Sequence, residues 1–482
     1  MTTHNVDVAI IGAGTAGLTA YREARKHTDS IVLIDGGPEG TTCARVGCMP
    51  SKLLIAAAEA ARQVKRAPAF GVQVEKAEVL GTAVLARVRR ERDRFVRLVQ
   101  EGIQNIDDAR RLKHHARFTA PDTLQVGEQR IRAKSIVIAS GSSPNIPGMF
   151  QHLKKRLITS ADVFEWQDLP TSVALFGAGV IGLELGIALH HLGVEVSVFG
   201  KDNLIANLTD PEVIKCAESI FKRELFFDVD ADVHEITETD DDVTVTFTHE
   251  GKKQSKTFDY ILVSAGRRPN IQNLNLEKLG VELDDKGMPD WNKDTLQMAD
   301  LPVFLAGDMN NHKPLLHEAS DEGRFAGYNA AHYPDIQPVK RRSAMTVVFS
   351  HPQIMKVGLS YDELGLDCTA IGEASFADQG RSRVMLENQG LLRVYAAHEG
   401  HRFLGAEMIG PAAEHLGHTL AWAHQCELTI PEMLQLPFYH PTMEEGVKTA
   451  LKSALHALKD GPPKGSVCSG EYVIPEPGDL TS

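Results

Sequence analysis

The sequence predicts an α/β chain in which two parallel, doubly wound sheets each present a glycine-rich turn to a dinucleotide. Three observations carry that reading. The chain has 482 residues, about three times the ~150 of a usual domain, so it divides into several units. The hexapeptide GAGTAG at residues 12–17 recurs as GAGVIG at residues 177–182, an internal repeat. Each copy lies between an apolar run and a helical pattern: VDVAII then LTAYREARK, and SVALF then LELGIALHH. Strand, turn and helix is the setting the motif requires.

In the first copy Gly12 permits the tight turn, Gly14 lets backbone approach a pyrophosphate, and Gly17 lets the helix pack on the strand. The phosphates then lie on a helix N-terminus, where free N–H groups and the dipole favour negative charge. The next strand, IVLID, ends in Asp35, about 20 residues past the glycines, where an acid accepts from an adenosine ribose hydroxyl. The second copy uses Gly177, Gly179 and Gly182 in the same way, but the equivalent offset lands on Gly200 within VSVFGKDN. Neither Phe199 nor Gly200 offers an acid. Lys201 could neutralise a 2′-phosphate and Asp202 could turn to the ribose, so NAD and NADP both stay open.

Between the copies comes GGPEGTTCARVGCMPSKLL. Gly47 allows an irregular turn that brings the Cys43 and Cys48 sulfurs within bonding reach. Pro50 fits a first helical position, which puts Cys48 at a helix start, where the dipole lowers a thiol pKa. A metal site needs two more ligands, and no His or Cys lies in the next sixty residues. A redox disulfide is the favoured reading, two inert buried thiols the alternative, and no metal is assigned.

Composition sets the surroundings. Hydrophobic residues at 43% and charged residues at 24% exclude a disordered or fibrous chain. A chain of this length buries roughly three quarters of its unfolded surface, so it needs no dense disulfide framework. The net charge of −13 repels nucleic acid and anionic membranes. The N-terminus lacks a signal-peptide pattern, and the longest apolar stretch, residues 173–183, is too short to cross a bilayer. The expectation is a soluble, cytoplasmic protein with no nucleic-acid or membrane partner. Cys216, Cys368, Cys426 and Cys468 lie scattered, so in a reducing compartment only the close pair suggests redox chemistry.

CARVGCMPSK resembles the active-site segment of the pyridine nucleotide disulfide oxidoreductases (class I), and is most similar to that of the dihydrolipoamide dehydrogenases. The likeness runs from Val6 to about Leu458, through IVIASGSSPNIPG (136–148), GAGVIGLELG (177–186), SAGRRPN (264–270), DLPVFLAGDM (300–309), VVFSHPQIMKVGLS (347–360) and YHPTMEEG (439–446). It implies two Rossmann-like domains, for FAD and NAD(P), and a C-terminal α+β dimerisation domain. The implied limits are 1–147 and 276–343 for the two parts of the FAD domain, 148–275 for the NAD(P) domain, 344–465 for the interface domain and 466–482 for a tail.

The resemblance implies cofactors FAD and NAD, with NADP as the alternative, and a homodimer in which a histidine completes the other subunit's site. It makes Cys43 the exposed interchange sulfur and Cys48 the flavin-side sulfur. Lys52 pairs with Glu184 near the nicotinamide, and His440 and Glu445 are catalytic. Further cofactor-binding positions are Thr42, Lys52, Ala116, Ser140, Gly141, Gly307, Asp308, His317 and Gly266. The implied activity is oxidation of dihydrolipoamide, or of another small dithiol, with lipoyl-bearing subunits of 2-oxo acid dehydrogenase complexes as candidate partners. Alternatives are an NADPH-dependent disulfide reductase, a flavoprotein reducing quinone, oxygen or metal, and a non-catalytic flavoprotein. Against the lipoamide pattern stand Ala44-Arg45 in place of Leu-Asn, and Gly40-Thr41-Thr42 in place of Gly-Gly-Thr. Arg45 between the cysteines could tune their potential or favour an acidic substrate.

The YHPTMEEG segment has its own chemistry. Thr442 and Glu445 carry capping-box spacing. A thiol exchange site also needs a base, which an imidazole oriented by a carboxylate supplies. Other features read as structure. Residues 87–98, RVRRERDRFVRL, form a solvated helical face, with a phosphate partner as the lesser reading. The adjacent pairs His114-His115 and His190-His191 do not share a helix face. From Gly461 the Pro, Gly and Ser content predicts an irregular tail with Cys468 exposed or covered by a partner chain.

Overall fold

The computed structural model describes residues 3–463, 466 and 468. Among them, the first sheet runs in the order Arg111–Leu112, Ile31–Ile34, Thr3–Ile11, Gln129–Ile138, Thr123–Val126, Ala116–Ala120. Strand Val303–Leu305 joins it late, parallel to the end of Gln129–Ile138. Ile31–Ile34 is buried at every residue, the mark of a parallel strand covered on both faces.

Helix α1 (Thr15–Ala24) follows the first glycine turn. Helices α2 (Thr42–Val46), α3 (Cys48–Arg66) and α4 (Gly81–Gln104) come before the chain returns to the sheet. Val88 of α4 is buried, Arg87, Arg90, Arg94 and Arg97 are exposed, and the half-buried Arg89 and Arg92 reach the Trp166 carbonyl and Glu165.

The second sheet is five-stranded and parallel, ordered Phe226–Asp228, Glu195–Phe199, Ser172–Phe176, Tyr260–Val263, Leu157–Ile158. Helix α5 (Val180–His191) follows the second glycine turn and α6 (Pro211–Glu224) follows the next strand. A three-stranded antiparallel sheet of residues 232–258 packs on this unit through Val243, Val245 and Phe247. Strands Ser142–Pro144 and Arg267–Pro269 pair antiparallel where the chain enters and leaves it. Helix α7 (Leu316–His332) then returns to α1. A Cβ at position 323 would stand 2.2 Å from the Ala16 carbonyl oxygen, so glycine lets the two helix backbones touch.

The third unit is a five-stranded antiparallel sheet ordered Met345–Val348, Gln353–Gly358, Phe403–Gly410, Leu391–Ala397, Thr369–Ser375. Helix α8 (Gly380–Val384) lies in a connection, while α9 (Ala413–Gln425), α10 (Ile430–Gln435) and α11 (Glu444–Asp460) follow the last strands. Val447, Ala450, Leu451, Ala454 and Leu458 seat α11 in the core. The chain is therefore two Rossmann-like α/β units and an α+β unit.

Three sequence expectations need correction. Cys468 is bonded to Cys368, 100 residues earlier, and so is neither a lone exposed thiol nor one awaiting a partner chain. Pro50 is the third residue of α3, not the first, because the helix starts directly at Cys48. Thr442 does not cap α11: the N-cap is Met443, and the Thr442 hydroxyl donates to the Tyr439 carbonyl at 2.9 Å. The tail from residue 469 lies outside the described residues.

Candidate active site

The two cysteines sit on consecutive helices. The Thr41 side chain accepts from the Ala44 N–H at 3.2 Å and so starts α2. At the junction a Cβ on Gly47 would lie 3.0 Å from the Thr42 oxygen and 3.1 Å from the Cys43 Cα. A side chain here would crowd the end of α2, and the tight fold-back of α3 places Cys48 in its first turn beside Cys43. The structure holds both as thiols, and in the single chain Cys48 is exposed and Cys43 half-buried, the reverse of the exposure expected of the pair.

The pair is unequal. The hydrogen bond from Cys43 pulls the Cys48 thiol down to about 6; burial opposes the shift and the Lys52 ammonium aids it. The same hydrogen bond, with burial, drives Cys43 up. Cys48 is thus the thiolate and Cys43 the protonated donor. The Arg45 stem lies against Gly40. The Lys52 ammonium lowers both thiols, and the Glu184 carboxylate raises Cys48.

Lys52 lies one turn beyond Cys48 on the same helix face. Its ammonium donates to both oxygens of Glu184, at 2.8 and 2.7 Å. Glu184 is buried on α5 and also accepts from the Phe349 N–H at 3.1 Å. The Phe349 ring lies 4.6 Å from the ammonium, within cation–π range. One ion pair therefore ties the cysteine helix to the helix of the second glycine motif and to the third unit. Nothing in the spacing of the sequence signals Phe349.

His440 Nδ1 lies 3.1 and 3.0 Å from the Glu445 oxygens. Hydrogen bonding to His440 holds the Glu445 carboxyl below its usual range, and the Thr442 N–H adds a contact at 3.3 Å. The imidazole is 79% exposed in the single chain. Among the described residues no hydrogen bond joins it to either cysteine of its own chain.

The two glycine turns repeat each other closely. Gly12 has φ +104°, and a Cβ there would stand 2.3 Å from the Ala139 oxygen; Gly177 has φ +105° and faces Ser264 at 2.7 Å. The Gly17 and Gly182 positions meet the preceding turn at 1.8 and 2.1 Å. Gly14 and Gly179, by contrast, face open space at the helix starts. Asp35 accepts from the Ala13 N–H at 2.6 Å and the Gly37 N–H at 2.7 Å, beside a cleft lined by Gly36, Arg111 and Lys113.

In the second unit the matching position is Gly200, because Gly177 N–H bonds Phe199 O as Gly12 N–H bonds Ile34 O. A Cβ there would lie 2.8 Å from the Val229 Cα and O. An acid at this place is sterically barred. Lys201 and Asp202 are exposed, and Asp202 N–H donates to Asp230 at 3.1 Å.

A family model for pyridine nucleotide-disulphide oxidoreductases matches residues 6–323, and one for the dimerisation domain of that family matches residues 344–451. The chain belongs to the pyridine nucleotide-disulphide oxidoreductases. A dihydrolipoyl dehydrogenase of Chlamydia muridarum is 30% identical over 91% of this chain and 94% of its own length. A mercuric reductase of Staphylococcus aureus is 28% identical over 96% and 84%. The flavoprotein disulfide reductase RclA from Escherichia coli has the same fold, with a TM-score of 0.79, 19% identity and coverage of 93% and 99%.

Members of this family depend on FAD and NAD(P), and the first unit fits FAD. The Ser140 hydroxyl is buried beside the glycine turn with no protein partner, a polar atom awaiting a ligand. Gly141 stands open at φ +70°. The Asp308 carboxylate accepts from Ser142 Oγ at 2.7 Å, and Arg267 Nε donates to the same hydroxyl at 2.8 Å. Sequence reading did not find this Ser142–Arg267 link, which spans the chain's entry to and exit from the second unit.

The other implied positions differ in burial and backbone. Gly307 packs on Ala16, His317 is exposed in the first turn of α7, and Thr42 is exposed at the start of α2. Ala116 is buried at the start of its strand, and Gly266 stands open at φ +86°. The dimerisation domain supports a homodimer.

Proposed function

We propose that this flavin-dependent disulfide oxidoreductase oxidises dihydrolipoamide to lipoamide with NAD+ through a Cys43–Cys48 redox disulfide. The unequal thiol pair one turn above the Lys52–Glu184 ion pair carries this reading, because it joins exchange chemistry to both nucleotide sites. The dihydrolipoyl dehydrogenases among the relatives support the substrate.

In this reading a substrate thiol attacks Cys43 Sγ of the oxidised pair, and the bond to Cys48 breaks. His440, held by Glu445 and reaching across the two-fold interface, takes the substrate's proton at Nε2. Cys48 leaves as a thiolate, favoured by the Lys52 ammonium. The second substrate thiol displaces Cys43, which regains a proton, and the cyclic disulfide departs. FAD, when bound, supplies the two-electron acceptor. Gly14 and the α1 N-terminus would hold its diphosphate, Asp35 a ribose hydroxyl and Asp308 its ribityl chain.

Gly200 sustains one other reading, an NADPH-dependent disulfide reductase, since no acid can stand there against a 2′-phosphate. Steady-state rates of NADH and NADPH against lipoamide and glutathione disulfide, run in both directions, separate the two. Turnover confined to NADPH with glutathione disulfide would overturn the dihydrolipoamide assignment.

A further inference from the structure

Away from the candidate active site the structure joins a second pair of cysteines. Cys368 closes the short turn Leu366–Cys368 that leads into the edge strand Thr369–Ser375. Cys468 lies eight residues beyond the last residue of α11, Asp460. Their Cα atoms are 5.3 Å apart, inside the 4.4–6.8 Å that a disulfide spans. Both residues are partly exposed, on the surface of the third unit.

The packed core does not depend on this bond. α11 is seated by Val447, Ala450, Leu451, Ala454 and Leu458, all buried, and its backbone ladder ends with Gly461 N–H on Leu458 O. Past that point, among the described residues, Ser466 bonds only back to Pro463, and Cys468 Sγ stands 3.9 Å from the Asp367 carbonyl. The bridge therefore ties Cys468 to the turn before the edge strand. A partly exposed bridge on which no core packing rests is open to exchange by small thiols.

We propose that Cys368 and Cys468 form a second, reversible dithiol/disulfide couple on the surface of the third unit, which joins or parts Cys468 and the turn that holds Cys368. In oxidation one cysteine thiolate attacks a small disulfide R–S–S–R and releases one R–SH. The other cysteine then displaces the second R–SH from the mixed disulfide. Two electrons pass from the pair to the small disulfide, and the two protons leave on the released thiols. A dithiol in excess runs the exchange backwards and becomes a cyclic disulfide. The exchange partners are compounds of the class the family turns over, so their redox ratio would set the state of the couple.

The test uses the FAD-loaded dimer with its full tail. One sample is incubated with glutathione disulfide and another with excess dihydrolipoamide. Both are alkylated at low pH, and their peptides are mapped without reduction. The expected result is a linked Cys368–Cys468 peptide in the first sample and two alkylated cysteines in the second. Protease cleavage beyond residue 461 should run roughly tenfold faster in the second, since cleavage tracks the released population. C468S and C368S should each show the fast cleavage in both samples and keep lipoamide turnover. Alkylation of both cysteines after glutathione disulfide would overturn the proposal. So would a bridge that survives dihydrolipoamide, or a Cys468 link to another cysteine or to a second chain, seen as a dimer on a non-reducing gel.

Discussion

The ammonium of Lys52 and the carboxylate of Glu184, 132 residues apart in sequence, meet at 2.7 and 2.8 Å. Lys52 keeps about a third of its side chain in solvent while Glu184 is buried. Removing the lysine therefore leaves a buried, uncompensated charge. K52M should lower stability by about 2–4 kcal/mol, and K52M/E184Q should recover much of that loss. Denaturant midpoints of K52M, E184Q and the double variant give the coupling directly, and a double-variant loss equal to the sum of the two single losses would remove it.

The acidity of Cys48 rests first on the hydrogen bond from Cys43. In reduced C43A the Cys48 thiolate should titrate above the wild-type value of about 6, toward the ~8.5 of a free cysteine. The ultraviolet absorbance of the thiolate, followed against pH, reads this shift. An unchanged midpoint would mean that Lys52 alone sets the acidity.

His440 and Glu445 should separate by degree. H440N removes the proton acceptor and should cost roughly 10²–10⁴ in kcat with dihydrolipoamide. E445Q keeps the size of the side chain and removes its charge, and should cost about tenfold, as loss of an orienting partner does. Similar losses for H440N and a distant exposed histidine variant would remove the assignment.

Glu387 joins the far end of α3 to the third unit through Arg62 at 2.6 Å, His351 at 2.9 Å and Arg66. Burial pushes its carboxyl up, but His351 and Arg62 prevail and hold it at about 2 against an ordinary 4.5. A depressed acid adds stability above its unfolded value, and that stability is lost as pH falls from 4.5 toward 2. After allowance for solvent the contribution is about 2 kcal/mol. Urea midpoints against pH should fall less steeply for E387Q than for the wild type over that window.

Gly200 gives a negative prediction. G200D puts a side chain against Val229, so it should destabilise by about 1–3 kcal/mol and should not raise the NADH over NADPH preference. A stable variant with sharpened NADH selectivity would contradict the crowding seen here.

The sequence by itself determined whatever depends on neighbouring residues. Gly17 and Gly182 repeat because a Cβ at either would meet the carbonyl of Gly12 or Gly177 at 1.8 and 2.1 Å, and that need is written within six residues. The fold-back at Gly47 is local in the same sense, so the Cys43–Cys48 pair was legible. Tertiary structure alone decided what depends on segments far apart. Phe349 reaches Glu184 across 165 residues. Gly200 excludes an acid because Asp228, which ends the adjoining strand, and Val229 just after it lie against it. Cys368 finds Cys468 across 100 residues. Such meetings are fixed by how packed sheets and helices close on one another, and no local pattern of residues records that closure.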